Sequence, residues 1–385
     1  MTMTLTKKAI EWRRHMHQYP ELSTKEFKTA EFVANKLAEF GLEVHRDIGG
    51  TGVVGILKNG TSPRAIGLRA DMDALQIHEQ NTFDHISKNS GVMHACGHDG
   101  HTAMLLGAAH TLAENPDFNG TVYFIFQPDE ERGTGAKAMI ADGLFTRWHM
   151  DAVYGMHNIP GVAKGKFVTR AGAIMASESS FKIVIKATGG HAALPHMGTD
   201  PIVVGAQVVT ALQTIVSRNL SAIAETAVVS VTNFETNGTV NVIPSQVTIS
   251  GDTRSFTDAT LHKIEKAIER VVAGQCMAAG VDYEYEFNNS YLSTINTQQE
   301  TIHAVTAAEK VVGADNVNGN CERYTISEDF SFMLREVEGC YILIGNGEGA
   351  CGGTALHNPL YDFNDDILSI GIDYWMTLVN DQLPK

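Results

Sequence analysis

The sequence predicts an α/β protein in which a second domain is inserted into the first. Strand-like and helical runs alternate over about 51–157, which is typical of a mostly parallel sheet covered on both faces. The order then changes to strand–helix–strand–strand–helix–strand, the split βαβ unit of ferredoxin-like domains. We therefore expect a discontinuous larger domain (1–177 and 292–385) and an inserted ferredoxin-like α+β domain (178–291).

The elements of the larger domain follow from hydrophobic patterning and stop signals. Tyr19-Pro20 ends a first helix over 6–18, because the residue before proline avoids the helical region. Ser23-Thr24-Lys25-Glu26 is a capping box that predicts a second helix, which Gly41 ends. The patterning then predicts strands over 51–58, 64–70, 121–127, 152–157 and 340–345, and helices over 101–114, 135–142, 298–312, 327–336 and from about 364.

The inserted domain has its own local signals. Asp200-Pro201 combines a helix cap with a first-turn proline, so a helix should run from there to about Arg218. Asn237-Gly238 is a turn signal between two strands. The patterning predicts strands over 181–187, 226–233, 246–252 and 282–287, and an amphipathic helix over 258–279.

Composition and charge restrict the possible partners. The 385 residues suggest two or three domains, and 43% hydrophobic with 19% charged residues allows a packed core. The net charge of −15 repels phosphate, which disfavours nucleic acid and anionic membranes. We find neither an apolar run near the roughly 18 residues of a membrane span nor a secretory signal. We expect a small-molecule substrate and a cytoplasmic location.

The cysteines do not resemble a disulfide framework, because their number is odd and their spacing is wide. They are Cys96, Cys276, Cys321, Cys340 and Cys351. A reducing compartment is the simplest interpretation.

A histidine-rich loop gives the strongest local signal for chemistry. Residues 94–101 (HACGHDGH) place five potential metal ligands within eight residues, just before a predicted helix. A closed structural zinc site usually has more cysteines in two short pairs. One cysteine among several histidines and carboxylates suits a catalytic metal site better.

A second signal follows the apolar strand 121–127. Asp129, Glu130 and Glu131 are adjacent carboxylates, which are costly near a strand end unless a cation or water meets them. Neighbouring side chains there point in different directions, so one glutamate can bind metal while the next holds the attacking water.

Other candidate residues follow different strands of the predicted sheet. Asp71 and Asp73 follow one strand, His157 ends another, and His357 follows a glycine-rich loop after 340–345. Because ligands bind beyond the carboxyl ends of parallel strands, we expect these side chains to converge.

Several motifs together resemble the aminoacylase and carboxypeptidase family of dinuclear metallohydrolases, peptidase family M20. The nearest branch is the amidohydrolase one, with hippurate hydrolases, N-acyl-amino-acid amidohydrolases and indole-acetyl-amino-acid hydrolases. The similarity runs from about Trp12 to Asp366, and it implies a catalytic larger domain with an inserted dimerisation (lid) domain. The motifs are GLRADMDAL, MHACGHDGHTAMLLGAA, FQPDEE, GMHNIPG, GGHAALPH, DPI, NVIP, SEDFSF and ALHNPLYDFND.

The resemblance also implies a role for each matched residue. Glu130 would be the general base and later the proton donor, and Asp71 would orient the site. Where the wider family has a metal-binding histidine, this chain has Arg69. Two divalent ions, manganese by resemblance with zinc, cobalt or nickel also possible, would be held by Cys96, His98, Glu131, His157 and His357.

For the inserted domain, the resemblance implies substrate contacts and a homodimer. His191 would reach the active site of a second subunit, and Asn241 and Arg254 would contact substrate. Pairing of Arg254 with an acidic neighbour is the alternative for that residue. The implied reaction is hydrolysis of N-acyl amino acids. A dipeptidase or carboxypeptidase, an N-acetyl-diaminopimelate deacetylase and a non-catalytic metal-dependent binding protein remain alternatives.

Overall fold

The computed structural model describes residues 3–350 and 352–385, within which the chain divides into two units. The first unit takes in the described residues of Met1–Ile174, with Ile295–Glu322 and Asp329–Lys385. The second unit comprises Met175–Thr294 and Arg323–Glu328, so a short segment after residue 322 also belongs to it. Cys351 lies outside the described residues.

The first unit is an α/β structure whose elements largely match the predicted ones. Its helices are α1 (Met3–Gln18), α2 (Phe27–Glu39), α3 (His98–Glu114), α4 (Gly135–Ala141), α5 (Leu144–Arg147), α8 (Gln298–Val312), α9 (Phe330–Glu336) and α10 (Leu368–Gln382). Its sheet strands are β1 (Glu43–Ile48), β2 (Gly52–Asn59), β3 (Ala65–Asp71), β4 (Gly120–Gln127), β5 (Ala152–Pro160), β6 (Phe167–Val168), β15 (Val317–Asn318) and β16 (Gly339–Gly347). The short strands β7 (Gly172–Met175) and β14 (Thr294–Asn296) pair separately, where the chain passes from one unit to the other.

The main sheet is mixed and mostly parallel, as predicted. Its order is β1-β2-β4-β3-β5-β16-β6-β15, and the central strands β4, β3, β5 and β16 are parallel neighbours. Asp71, the last residue of β3, pairs in register with Gln127, the last residue of β4. The carboxyl ends of the central strands therefore meet at one edge, where the candidate residues were expected.

The core of this unit explains the long apolar runs. The strands β3 and β4 are buried through Leu68 and Phe124, and α3 buries nearly its whole length, including Leu105 and Leu112. Removal of this apolar surface from water stabilises the packing of α3 against the sheet. The first residues of α3 are thereby held at the edge formed by the strand ends.

The second unit has the predicted βαββαβ order. Its main elements are β8 (Ser177–Lys186), α6 (Pro201–Thr214), β10 (Ala227–Thr236), β12 (Gln246–Ser255), α7 (Asp258–Ala279) and β13 (Asp282–Tyr291). The sheet order is β10-β12-β8-β13 with antiparallel neighbours, which is the ferredoxin-like arrangement. A small two-stranded sheet joins β9 (Gly190–His191) to β11 (Val242–Ile243). The dimerisation role of this unit stays a prediction.

One helix of this unit resembles a membrane span in length and composition. Within the described part of the chain, the helical segment Pro201–Asn219 alone meets that test, although the sequence analysis expected no such run. Its Val204, Val208 and Leu212 are buried in the core of the second unit, against the sheet. One face of the helix therefore belongs to the core, while Val203 and Val216 on the same segment are exposed.

Two local predictions need correction. The capping box is wrong: α2 starts at Phe27 after Glu26, whose side chain makes no capping bond. The first-turn amides of Lys28 and Thr29 donate to Glu21 instead, at 2.9 Å each. The helix predicted over 101–114 starts three residues earlier, at His98, because Gly97 adopts a left-handed backbone (φ 99°) that allows the turn. The strand β1 was missed, since its polar residues conceal the pattern.

Candidate metal centre

The loop before α3 presents two potential ligands towards the strand ends. Gly97 leaves no room for a side chain, because a Cβ there would lie 2.3 Å from Oδ1 of Asn158. This close approach puts Sγ of Cys96 3.4 Å from Nε2 of His157 on β5. His98, the first residue of α3, is fully buried beside them.

The structure brings the five predicted metal ligands together. Cys96, His98 and His157 form one group whose donor atoms all lie within 4.8 Å of one another. Cys96, Glu131 and His357 form a second such group. Cys96 belongs to both groups, so one sulfur atom lies between two sets of donors.

The two glutamates of the loop after β4 stand side by side at this cluster. Glu131 Oε1 lies 3.9 Å from His98 Nε2 and 3.5 Å from His357 Nε2. Glu130 is nearly buried, and its carboxylate forms a further close group with His98 and Glu131. Both carboxylates therefore lie at the cluster, and the assignment of Glu131 as ligand and Glu130 as base stays a prediction.

His357 lies on a loop, and its side chain is half exposed, whereas the other histidines of the cluster are buried. Its backbone is left-handed (φ 61°), and its amide donates to the carbonyl of Ala95 at 2.8 Å. This bond ties the loop to the residue before Cys96.

The donor atoms fit a cation. His98 Nε2 and Glu131 Oε1 are buried and lack a hydrogen-bond partner among the described residues. Burial opposes a charge on His98, yet Asp71, Asp73 and Glu131 raise its pKa to about 10. Burial and the carboxylate of Glu131 raise the pKa of the Cys96 thiol well above its usual value. A bound cation would therefore be stabilised by the carboxylates of the site. The mixture of sulfur, nitrogen and oxygen donors suits Mn, Zn, Co or Ni.

Both carboxylate oxygens of Asp71 are hydrogen-bonded to neighbouring side chains. Arg69 Nη1 lies 2.6 Å from Oδ2, and His101 Nδ1 lies 2.6 Å from Oδ1. Burial opposes its ionisation, but His98 and Arg69 hold the pKa of Asp71 well below its ordinary value. Arg69 also donates to Asp329 at 3.1 Å.

Sequence reasoning missed the role of Asp73. Its carbonyl oxygen and Oδ1 lie 2.9 and 3.1 Å from His98 Nδ1, while Oδ2 accepts from the Glu131 amide at 3.0 Å. The Ser23 hydroxyl also donates to Oδ2 at 2.7 Å. The spacing of Asp73, two residues beyond Asp71 on the same strand end, was the available signal.

The three candidate residues of the inserted domain lie in the second unit. His191 is exposed on β9 opposite Val242 of β11, and the carbonyl of Asn241 accepts from the Ala192 amide at 3.0 Å. This small sheet brings His191 and Asn241 near each other.

Arg254 pairs with acidic neighbours, the alternative that the sequence left open. Its guanidinium lies 2.7 Å from Glu178 and 3.0 Å from Asp252. The substrate roles of His191, Asn241 and Arg254 stay predictions.

Known proteins resemble this chain over most of its length. A family model described as Peptidase family M20/M25/M40 matches residues 67–381. The chain is 40% identical over 368 residues to a hippurate hydrolase of Campylobacter jejuni, with 95% of this chain and 94% of the relative covered. It is 44% identical over 290 residues to an N-acyl-L-amino acid amidohydrolase of Geobacillus stearothermophilus, with 74% and 77% covered. A solved dinuclear metal-binding peptidase of the M20 family from Bacillus subtilis superposes with a TM-score of 0.87 at 30% identity, with 99% of each chain covered.

Proposed function

Because the chain belongs to peptidase family M20/M25/M40 and is a metallohydrolase acting on amide bonds, we propose that its substrates are N-acyl amino acids of the hippurate and N-acetyl-amino-acid type. The products would be a carboxylic acid and a free amino acid. The observation that carries the proposal is the arrangement of Glu130 beside two donor groups that share Cys96.

Cys96, His98, Glu131, His157 and His357 would hold two divalent cations, with manganese favoured by the family resemblance. When bound, such cations supply Lewis acidity that lowers the pKa of a water in the site towards about 7. Asp71 and Asp73 hold the imidazoles of His101 and His98 in place. Such partners around a metal site fix ring orientation and tautomer.

Glu130 is the general base and general acid of the proposed reaction. Its carboxylate is close to the donor atoms of His98 and Glu131, yet it is not a member of either group that shares Cys96. It accepts a proton from the water as the water oxygen attacks the carbonyl carbon, and it then donates that proton to the leaving nitrogen as the C–N bond breaks. Burial of Glu130 limits exchange of that proton with bulk water.

The inserted unit would complete the site from a second copy of the chain. We propose a homodimer in which His191 of one subunit stabilises the oxyanion formed in the other, while Asn241 and Arg254 contact substrate. The exposure of His191 supports this, because no packing within its own unit buries the imidazole.

A second candidate is a dipeptidase or carboxypeptidase acting through the same residues. The solved B. subtilis relative, described as a peptidase, favours it. Both reactions break an amide bond, and they differ in the group attached to the carbonyl carbon.

The test is amine release from a panel of N-acyl amino acids and dipeptides, with manganese-loaded and chelator-treated protein. We expect turnover of N-benzoylglycine or N-acetyl amino acids, loss of turnover on chelation, and recovery with manganese or cobalt. Cleavage of dipeptides alone would favour the second candidate. Full activity in protein shown by elemental analysis to be metal-free would contradict the proposal.

A further inference from the structure

The loop that carries Glu130 and Glu131 has a backbone that needs external support. Asp129 adopts a left-handed conformation (φ 56°), which non-glycine residues rarely adopt. The loop also closes tightly: the Gly135 amide donates to the Asp129 carbonyl at 3.0 Å, and a Cβ on Gly135 would lie 1.7 Å from the carbonyl oxygen of Pro128. The direction of the Glu130 side chain therefore depends on what fixes Asp129.

Glu26, from a distant part of the first unit, provides a bond to this backbone. Its side chain is fully buried, and Oε1 accepts from the Asp129 amide at 3.0 Å. The same oxygen accepts from the Thr24 amide at 2.9 Å, and Oε2 accepts from the Thr51 hydroxyl at 2.6 Å. A carboxylate accepting from backbone amides forms strong, directional hydrogen bonds.

A second carboxylate binds the loop on the other side of Glu130. Oδ2 of Asp73 accepts from the Glu131 amide at 3.0 Å. The amides on either side of Glu130 are thus each held by a buried acidic side chain. These two hydrogen bonds therefore fix the backbone position of Glu130.

We propose that Glu26 is a positioning residue that directs Glu130 by binding the amide of Asp129. Capping of α2 does not explain Glu26, because its side chain makes no capping bond to that helix. The Lys28 and Thr29 amides in the first turn of α2 donate to Glu21 instead. The proposal rests on the proposed function, in which Glu130 is the general base.

The experiment compares three variants of the full-length, manganese-loaded protein with N-benzoylglycine as substrate. Glu26→Gln keeps an oxygen that can accept from both amides. Glu26→Met keeps the volume but removes that acceptor. Thr51→Val is the matched control, because it removes only the bond to Oε2. Each variant is measured for kcat, KM, manganese content and amide hydrogen exchange over residues 127–135.

We expect Glu26→Met to lower kcat by about 10–100-fold, the size of effect seen when support around a site is lost. KM and manganese content should stay near wild type, and amide exchange over the loop should rise. Glu26→Gln and Thr51→Val should retain kcat and loop protection. Equal kcat and equal exchange in Glu26→Met and Thr51→Val would overturn the proposal.

If Glu26→Met does not fold, Glu26→Asp is the replacement, because it keeps the charge and shortens the reach by one methylene. It should show the same loss of kcat, and a wild-type kcat would overturn the proposal. Glu130→Gln is assayed in parallel. Wild-type activity in Glu130→Gln would refute the proposed function, whereas an inactive Glu130→Gln with a fully active Glu26→Met refutes only the role of Glu26.

Discussion

His98 and Asp73 are joined through the imidazole nitrogen that faces away from the ligand cluster. Nδ1 of His98 lies 3.1 Å from Oδ1 and 2.9 Å from the carbonyl oxygen of Asp73. Both oxygens accept hydrogen bonds, so Nδ1 carries a proton. The buried Nε2, which has no hydrogen-bond partner among the described residues, is left as the atom that a cation would bind.

We therefore predict that Asp73→Asn weakens metal binding by about 10–100-fold, because an amide cannot accept through both of its terminal atoms. The measurement is manganese affinity by competition with a chelator. Ser23→Ala is the control, since it removes the hydroxyl bond to Oδ2 of Asp73 and leaves both bonds to His98 in place. An unchanged affinity in Asp73→Asn would show that the bond to His98 does not support the site.

The residues at strand ends were predictable because a parallel sheet brings those ends together. Asp71 ends β3 and Glu131 follows β4, and the register of these two strands confirms that their ends meet. His157 was predicted to end its strand, but β5 continues past it to Pro160. The family resemblance singled out Cys96 and His98; from local spacing alone, only the cluster of potential ligands over 94–101 was predictable. The role of Glu26 was not, because its partner Asp129 lies 103 residues away and only tertiary packing joins them.

The same limit explains other differences between prediction and structure. The sequence of residues 23–26 matches a capping box, but burial against another segment gave Glu26 different partners. Arg254 lies on a strand where alternate residues share a face, so Asp252 became its neighbour. The spacing of residues in the sequence indicates which side chains can come into contact. Tertiary packing determines which of those contacts form.

Glu26 should also give the protein a measurable pH dependence. Burial raises the pKa of Glu26 to about 7 from its ordinary value of about 4.5, and the charge of Asp73 adds to the effect. The folded state then binds this proton more tightly than the unfolded chain. The free energy of unfolding should therefore fall as pH rises from about 4.5 to 7.

Glu26→Gln removes this titration, so its stability relative to wild type should improve by about 2–3 kcal/mol between pH 5 and pH 8. Urea unfolding of metal-free protein at both pH values measures it. Glu31→Gln, at an exposed position on α2, is the control. A relative stability of Glu26→Gln that does not change with pH would contradict the prediction.

The second unit has surfaces suited to pairing with another copy. β10 and β13 are the edge strands of its sheet, and β10 exposes Val228 and Phe234. Unpaired strand edges and exposed apolar side chains favour association, most often as a symmetric dimer. We predict a homodimer in solution, which analytical ultracentrifugation measures.

We also predict that His191 acts across the dimer. Mixing His191→Ala subunits with Glu130→Gln subunits, each inactive alone, should restore partial activity, because one site in a mixed dimer would hold both intact residues. Native mass spectrometry confirms subunit exchange. Exchange without recovered activity would place His191 in its own subunit's site or outside catalysis.

The most direct test of the central claim compares Glu130→Gln with Glu131→Gln, two substitutions of equal size on adjacent residues. Glu130→Gln should retain manganese near the wild-type content and lose about 10²–10⁴-fold in kcat, because the base is removed while the ligands remain. Glu131→Gln should lose manganese, because Glu131 belongs to a donor group with Cys96 and His357. Metal content by elemental analysis, measured beside kcat for N-benzoylglycine, distinguishes the two. Loss of metal in Glu130→Gln with full metal in Glu131→Gln would reverse the assignment, and wild-type kcat in Glu130→Gln would contradict the account.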